Sequence, residues 1–303
     1  MAYTSGDTIL DDHYNDFRTS VNAIWGVGLN DQGYGQTNIV SSVSAGTTIT
    51  ATQWTTLLAR ITSAANHQNS SITSISDPSA GDSISAYTAL STNISTITTN
   101  RLNVHGRDAV VESSASTTTT LQGNITQEGN WAWGSNDQAR YFFNAGGRIS
   151  VRWDISGFTV DTKATEWDNL LTAAGTFYVY AQSSGKSGGS GTTSTNDTDA
   201  GWHDLTGSYE PVFKQFFDTT SYTPYGINYV QLDMYKNTTG TVFWRTQMVD
   251  AAADQTSYNK SIYNVLDQVD GTKYTYFGHE EPTTTYIADS WGDGPTQTVT
   301  ANG

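Results

Sequence analysis

Five histidines, His13, His67, His105, His203 and His279, are the side chains best suited to bind a metal or move a proton at neutral pH. None stands at metal-ligand spacing from another, and the chain has no cysteine. A zinc site or metallohydrolase is therefore not expected. Glycoside hydrolysis needs two carboxylates facing one bond. Glu280 and Glu281 are adjacent, so on a strand they point to opposite faces, while Glu166, Asp168 and Glu210 are isolated. The expectation is a non-enzymatic protein with no cofactor.

Two segments, Asn196-Asp-Thr-Asp-Ala-Gly-Trp-His-Asp204 and Asp289-Ser-Trp-Gly-Asp-Gly294, carry the oxygen ligands and glycines of calcium loops. Neither has the twelve-residue helix–loop–helix pattern, and such turns are common without metal, so no metal is assigned. Lys186-Ser187 lies in a glycine run, but without the glycine offset or preceding parallel strand of a phosphate loop. What remains is Tyr, Trp, Thr and Asn on β loops. Rings of this kind beside neutral hydrogen-bonding groups suit contact with glycans or proteins. Most individual Trp and Tyr side chains are expected in the core instead.

The scaffold that must hold these groups is unusual in composition. The chain has 303 residues, a net charge of −15 and 12% aromatic residues, but only 14% charged residues against about 25% in ordinary domains. So many aromatic residues exclude a disordered chain. An acidic chain with 14 scattered Lys and Arg residues has no footprint for nucleic acid. No stretch reaches the ~18 apolar residues of a membrane span, so no membrane insertion is expected. The opening residues lack the charged and apolar regions of a secretory signal.

Helical periodicity is concentrated in residues 1–106, whereas seven of the nine tryptophans follow. Asp11 and Asp12 announce a first helix, with Tyr14, Phe17, Val21 and Ile24 along one stripe until Gly26 and Gly28. Thr50 caps a second, whose stripe is Trp54, Leu57, Leu58, Ile61 and Ala65. A third carries Tyr87, Leu90, Ile94, Ile97, Arg101 and Val104 at a/d spacing, with Ser, Thr and Asn on its other faces. Such a helix is marginal alone. Its partners are either the first two helices or the same helix of other subunits, and isoleucine at both 94 and 97 favours three strands.

Beyond Gly106 and Arg107 strands dominate. The pattern predicts them at 117–126, 139–155, 176–182, 212–217, 229–236, 242–249 and 274–277, with a hairpin turn or bulge at Asn144–Gly147 and a short helix at 165–171. Residues 183–201 read as a mobile Gly/Ser/Thr loop. The expected fold is α+β: an N-terminal helical attachment and oligomerisation region over 1–106, then a mainly antiparallel, jelly-roll-like β-sandwich over 107–303.

Several segments resemble a module of tailed-bacteriophage virion proteins, especially those of marine and cyanobacterial phages. They are Tyr14-Asn-Asp-Phe17, Val21-Asn-Ala-Ile-Trp-Gly26, Asp31-Gln-Gly-Tyr-Gly-Gln36, Gly46-Thr-Thr-Ile-Thr-Ala-Thr-Gln-Trp-Thr-Thr-Leu57 and His67-Gln68. Tyr141-Phe-Phe-Asn-Ala-Gly-Gly-Arg-Ile149 and Glu166-Trp-Asp-Asn-Leu170 resemble the same group. The resemblance covers about a third of the chain and leaves 202–303 unplaced. It implies a structural component of the particle, a neck, tail or fibre protein, assembled in the host cytoplasm and located in the virion. Its partners would be other phage structural proteins, its own copies as a homotrimer, and a glycan or protein of the host surface. The attachment and oligomer interface is placed on Tyr14, Phe17, Val21, Ile24, Trp54, Leu57, Ile61, Tyr87, Leu90, Ile94, Ile97 and Val104. A capsid decoration or head-fibre protein, and a tail-associated polysaccharide depolymerase, are the alternatives.

Overall fold

The computed structural model describes residues 11–79, 86–160, 162–189, 195–197, 199–216, 227–251 and 268–303. The fold is α+β, and the chain divides into two compact units. The helical unit takes the chain up to Asp108, together with Asp137–Gly147 and Glu281–Asp293. The β unit takes Ala109–Asn136, Arg148–Glu280 and Gly294–Gly303. Two segments remote from the N-terminal helices thus complete the helical unit.

Helix α1 spans Asp11–Trp25, with both aspartates in its first turn, where the helix dipole favours them. Helix α2 spans Ala51–His67 behind a full capping box. The Thr50 hydroxyl accepts from the Gln53 N–H, and the Gln53 side chain accepts from the Thr50 N–H at 2.8 Å. Helix α3 spans Tyr87–Thr99 and has no side-chain cap. It buries Leu90, Asn93, Ile94 and Ile97. Asn93 also brackets Thr73, accepting from its N–H at 2.9 Å and donating to its carbonyl at 2.8 Å.

Helix α4, Asn136–Asn144, corrects the strand expected over 139–155. Ala139, Phe142 and Phe143 stand at helical spacing and are buried, so the aromatic run follows the helical period rather than an alternation. Its last residue, Asn144, directs its amide at the carbonyls of Asn30, Gln32 and Gly33 and so holds the turn after α1. That turn needs glycine at 35. Its φ is +71°, and a Cβ there would lie 2.4 Å from the Tyr141 ring.

The β unit is a sandwich of two antiparallel sheets. The first has the order β1 (Val111–Thr117), β10 (Thr272–Glu280), β3 (Arg148–Ser156), β4 (Thr176–Val179), β5 (Ser184–Ser187). The second has the order β11 (Thr296–Asn302), β2 (Asn124–Ala132), β9 (Thr241–Val249), β8 (Tyr229–Lys236), β7 (Glu210–Phe216), β6 (Thr195–Asp197). Pairing β1 with β10 and β2 with β9 nests the chain in the jelly-roll manner, while β3–β5 and β6–β9 are simple meanders. Helix α5 (Thr162–Ala174) buries Trp167, Leu170 and Leu171.

Large rings fill the space between the sheets. Trp131 and Trp244 meet Phe277 at centroid distances of 5.8 and 4.8 Å, and Trp153 stacks on Phe213 at 5.5 Å. Burying each such side chain contributes about 1.5–3 kcal/mol. The expected strand over 117–126 is two strands with a connection between them, where Gly123 takes φ +102°. Within 183–201 the structure places β5 and β6, while residues 190–194 and 198 of that expected loop lie outside the described residues.

Candidate interaction faces

The twelve side chains expected to form an attachment interface are the helical unit's own core. Ten of them, all but Tyr87 and Val104, are at least nine-tenths buried within the single chain. Tyr87 and Val104 are half-buried. Tyr14 packs edge-on to Trp54 at 5.5 Å, and Phe17 meets Tyr87 at 5.1 Å. Leu90, Ile94 and Ile97 are closed over by this chain's own helices, so the a/d seam leaves no apolar stripe for other copies. Ten of the twelve thus have no surface left to offer a partner in the folded chain, whereas Tyr87 and Val104 keep part of theirs.

Beneath the α2 C-terminus lies a buried polar group of residues. His67 Nε2 stands 2.9 Å from the Ala145 carbonyl, which can only accept, so Nε2 carries the proton. Burial lowers the His67 pKa to about 4, and the ring is neutral at pH 7. The Tyr34 hydroxyl donates to the Arg101 carbonyl at 2.7 Å and accepts from Gln68 Nε2 at 2.8 Å. Arg101 in turn pairs with Asp31. These bonds fasten loops to helices.

Two of the carboxylates weighed for catalysis are also engaged. Glu280 forms a two-bond pair with Arg148 at 2.8 Å each, whereas Glu281 accepts from the Trp291 indole N–H at 2.8 Å. The Asp289 carboxylate accepts from the backbone N–H groups of Trp291 and Gly292 and so caps its own turn.

The outward faces of the two sheets differ in kind from these interiors. On the first sheet, Arg148 pairs with Glu280 and lies 4.0 Å over Tyr178, and Arg152 pairs with Glu112 and lies 3.7 Å over Tyr276. Tyr274 stacks beside Tyr276 at 5.6 Å. On the second sheet, Tyr235 of β8 and Phe243 of β9 are register partners whose rings stack at 4.4 Å and 4°. Tyr209 meets Tyr235 edge-on at 4.7 Å, and Arg245 pairs with Asp233 at 2.7 Å while covering Tyr209 at 4.4 Å. Burial, with Glu128 nearby, pushes the Tyr209 hydroxyl up to about 12, so it stays protonated. Asn130, Glu128, Gln231 and Gln247 stand among these rings on the half-exposed face.

No known protein family, curated protein or solved structure matches this chain. The two faces therefore stand on their chemistry. Arg148, Arg152 and Arg245 are held by glutamate or aspartate and laid against tyrosine, Lys214 lies over Tyr229, and the other outward groups are mainly amides, hydroxyls and rings. Sequence reasoning expected aromatic contact groups on loops, yet these lie on strands. The signal was present in the outward parity of Tyr235 and Phe243 about the Lys236–Gly240 turn.

Proposed function

We propose that this chain is a non-enzymatic structural component of a tailed-phage particle, a neck, tail or fibre protein whose β unit contacts a surface outside the particle. The observation that carries the reading is the pair of outward sheet faces. Their rings lie among amides and hydroxyls, and Arg148, Arg152 and Arg245 are paired with Glu280, Glu112 and Asp233. Such groups suit contact rather than bond-making. The resemblance of the α1, α2 and α4 segments to phage virion proteins supports the same reading.

Docking of the helical unit then falls to its surface and not to its stripes. Val27, Leu29 and Ile39 are 65%, 78% and 49% exposed there. They sit beside a turn tied by bonds from Tyr34 N–H to Ile24 and from Gly35 N–H to Gly26. A backbone tied in this way loses little further freedom when the side chains on it bind. Quantitative mass spectrometry of gradient-purified particles tests the proposal. A fixed multiple copy number in particles supports it, and a chain found only in the soluble lysate overturns it.

A further inference from the structure

We propose that a notch beside Phe243, on the outward face of the second sheet, binds a neutral, hydroxyl-rich glycan chain; this stands on the face itself and does not depend on the particle reading. Tyr235 covers one face of the Phe243 ring, since the two cross-strand rings are parallel within 4°. The other ring face looks along the sheet toward β2 and β11. The register partner of Phe243 on that side is Asn130, and the partner of Asn130 is Thr298. Both are too short to fill the space that a larger residue would take. One step along β2 on the same face stands Glu128.

Asn130 is half-exposed and Thr298 exposed, and among the described residues neither they nor Glu128 are engaged in a side-chain hydrogen bond or ion pair. A partly exposed aromatic ring flanked by an amide, a carboxylate and a hydroxyl matches one chemistry closely. The axial C–H groups of a pyranose lie on the ring, and its hydroxyls take the amide and carboxylate at the ring edge. Charge selects among glycans. The net charge of −15 disfavours sulfated, phosphorylated or sialylated chains, while on the face itself Glu128 is balanced by its cross-strand partner Arg245 and Lys214 lies over Tyr229. A protein partner fits poorly, because its interface core would bury apolar side chains that this notch does not supply. The outward face also runs on along β8 from Tyr235 to Tyr229, about 20 Å at strand rise, so it accommodates a chain and not a single sugar.

Isothermal titration of the full chain with maltohexaose, mannohexaose, cellohexaose and chitohexaose, and with dextran sulfate as the anionic arm, tests this. At least one neutral hexasaccharide is expected to bind, and dextran sulfate is not. Phe243→Ala is expected to weaken binding about tenfold. Asn130→Trp, which fills the notch and leaves Phe243 in place, is expected to abolish it while thermal unfolding stays as in the parent. No binding by any neutral probe at millimolar concentration overturns the proposal. So does preference for dextran sulfate, or binding that survives Asn130→Trp. Capture of a protein through the same residues, with no glycan bound, overturns it as well.

Discussion

Gln36 and Ala288, 252 residues apart in sequence, exchange two hydrogen bonds. The Gln36 amide donates to the Ala288 carbonyl at 2.8 Å, and its oxygen accepts from the Ala288 N–H at 2.9 Å. One side chain thereby imitates a strand partner and ties the Glu281–Asp293 segment to the turn after α1. Gln36 is 4% exposed, so its loss leaves both backbone groups without a partner. Gln36→Ala is expected to cost roughly 2–3 kcal/mol. Urea denaturation checks it, and an unchanged midpoint would remove Gln36 as the tie.

The helical stripes make a sharper prediction. Leu57 and Ile97 are fully buried inside one chain, so Leu57→Ala or Ile97→Ala is expected to destabilise the protein by about 2–5 kcal/mol. The mass in light scattering is expected to stay as in the parent. An interface stripe would behave in the opposite way, with mass falling and the stability of the single chain unchanged.

Acid is expected to loosen the protein. Burial lowers the pKa of His67 and of His279 to about 4, against ~6.5 in an unfolded chain. Between those values the unfolded chain binds more protons than the folded one. Stability therefore falls as pH drops from about 6.5 to 4 and does not change through these rings above pH 7. For His67 the loss reaches roughly 3 kcal/mol at pH 4. Thermal unfolding across this range checks it, and His67→Gln is expected to flatten part of the slope. A parent slope of the opposite sign would refute the assignment.

Lys163 and Asp250 form an ion pair at 2.5 Å with side chains 2% and 0% exposed, and Asn228 donates to the same carboxylate at 2.8 Å. Removing one partner leaves a charge buried without its counterpart. Lys163→Met is expected to cost about 3–5 kcal/mol, whereas Lys163→Met with Asp250→Leu recovers most of that loss. A double variant as unstable as the single one would show that the pair does not act as a unit.

Where local signals agreed, the fold was readable from the residues. The Thr50 cap and its stripe mark α2, and the Asn237–Gly240 turn marks the β8–β9 hairpin. At Gly240, φ is +91° and a Cβ would lie 2.3 Å from the Ser135 carbonyl. The α4 segment was misread because Tyr141-Phe-Phe143 has strand-forming side chains, and only burial of Ala139, Phe142 and Phe143 on one face decides for helix. Strands β1 and β11 are sheet edges of Ser, Thr and Asn with almost no apolar alternation to announce them. The stripes of α1, α2 and α3 were located correctly, and of the two partners left open for the a/d helix the first two helices are the ones that cover it. Periodicity shows that a face must be covered and says nothing of which chain covers it. The aromatic faces were only partly legible for a related reason, since the parity of Tyr235 and Phe243 shows that both point outward and the register of two strands makes them neighbours.

An electron cryo-microscopy reconstruction of the particle, fitted with this chain, tests the central claim most directly. The account predicts density for the chain in repeated copies, with the helical unit against the particle through Val27, Leu29 and Ile39. The outward face that carries Tyr235 and Phe243 is expected to be open to solvent. A particle without such density, or copies joined through Leu90, Ile94 and Ile97, would contradict it.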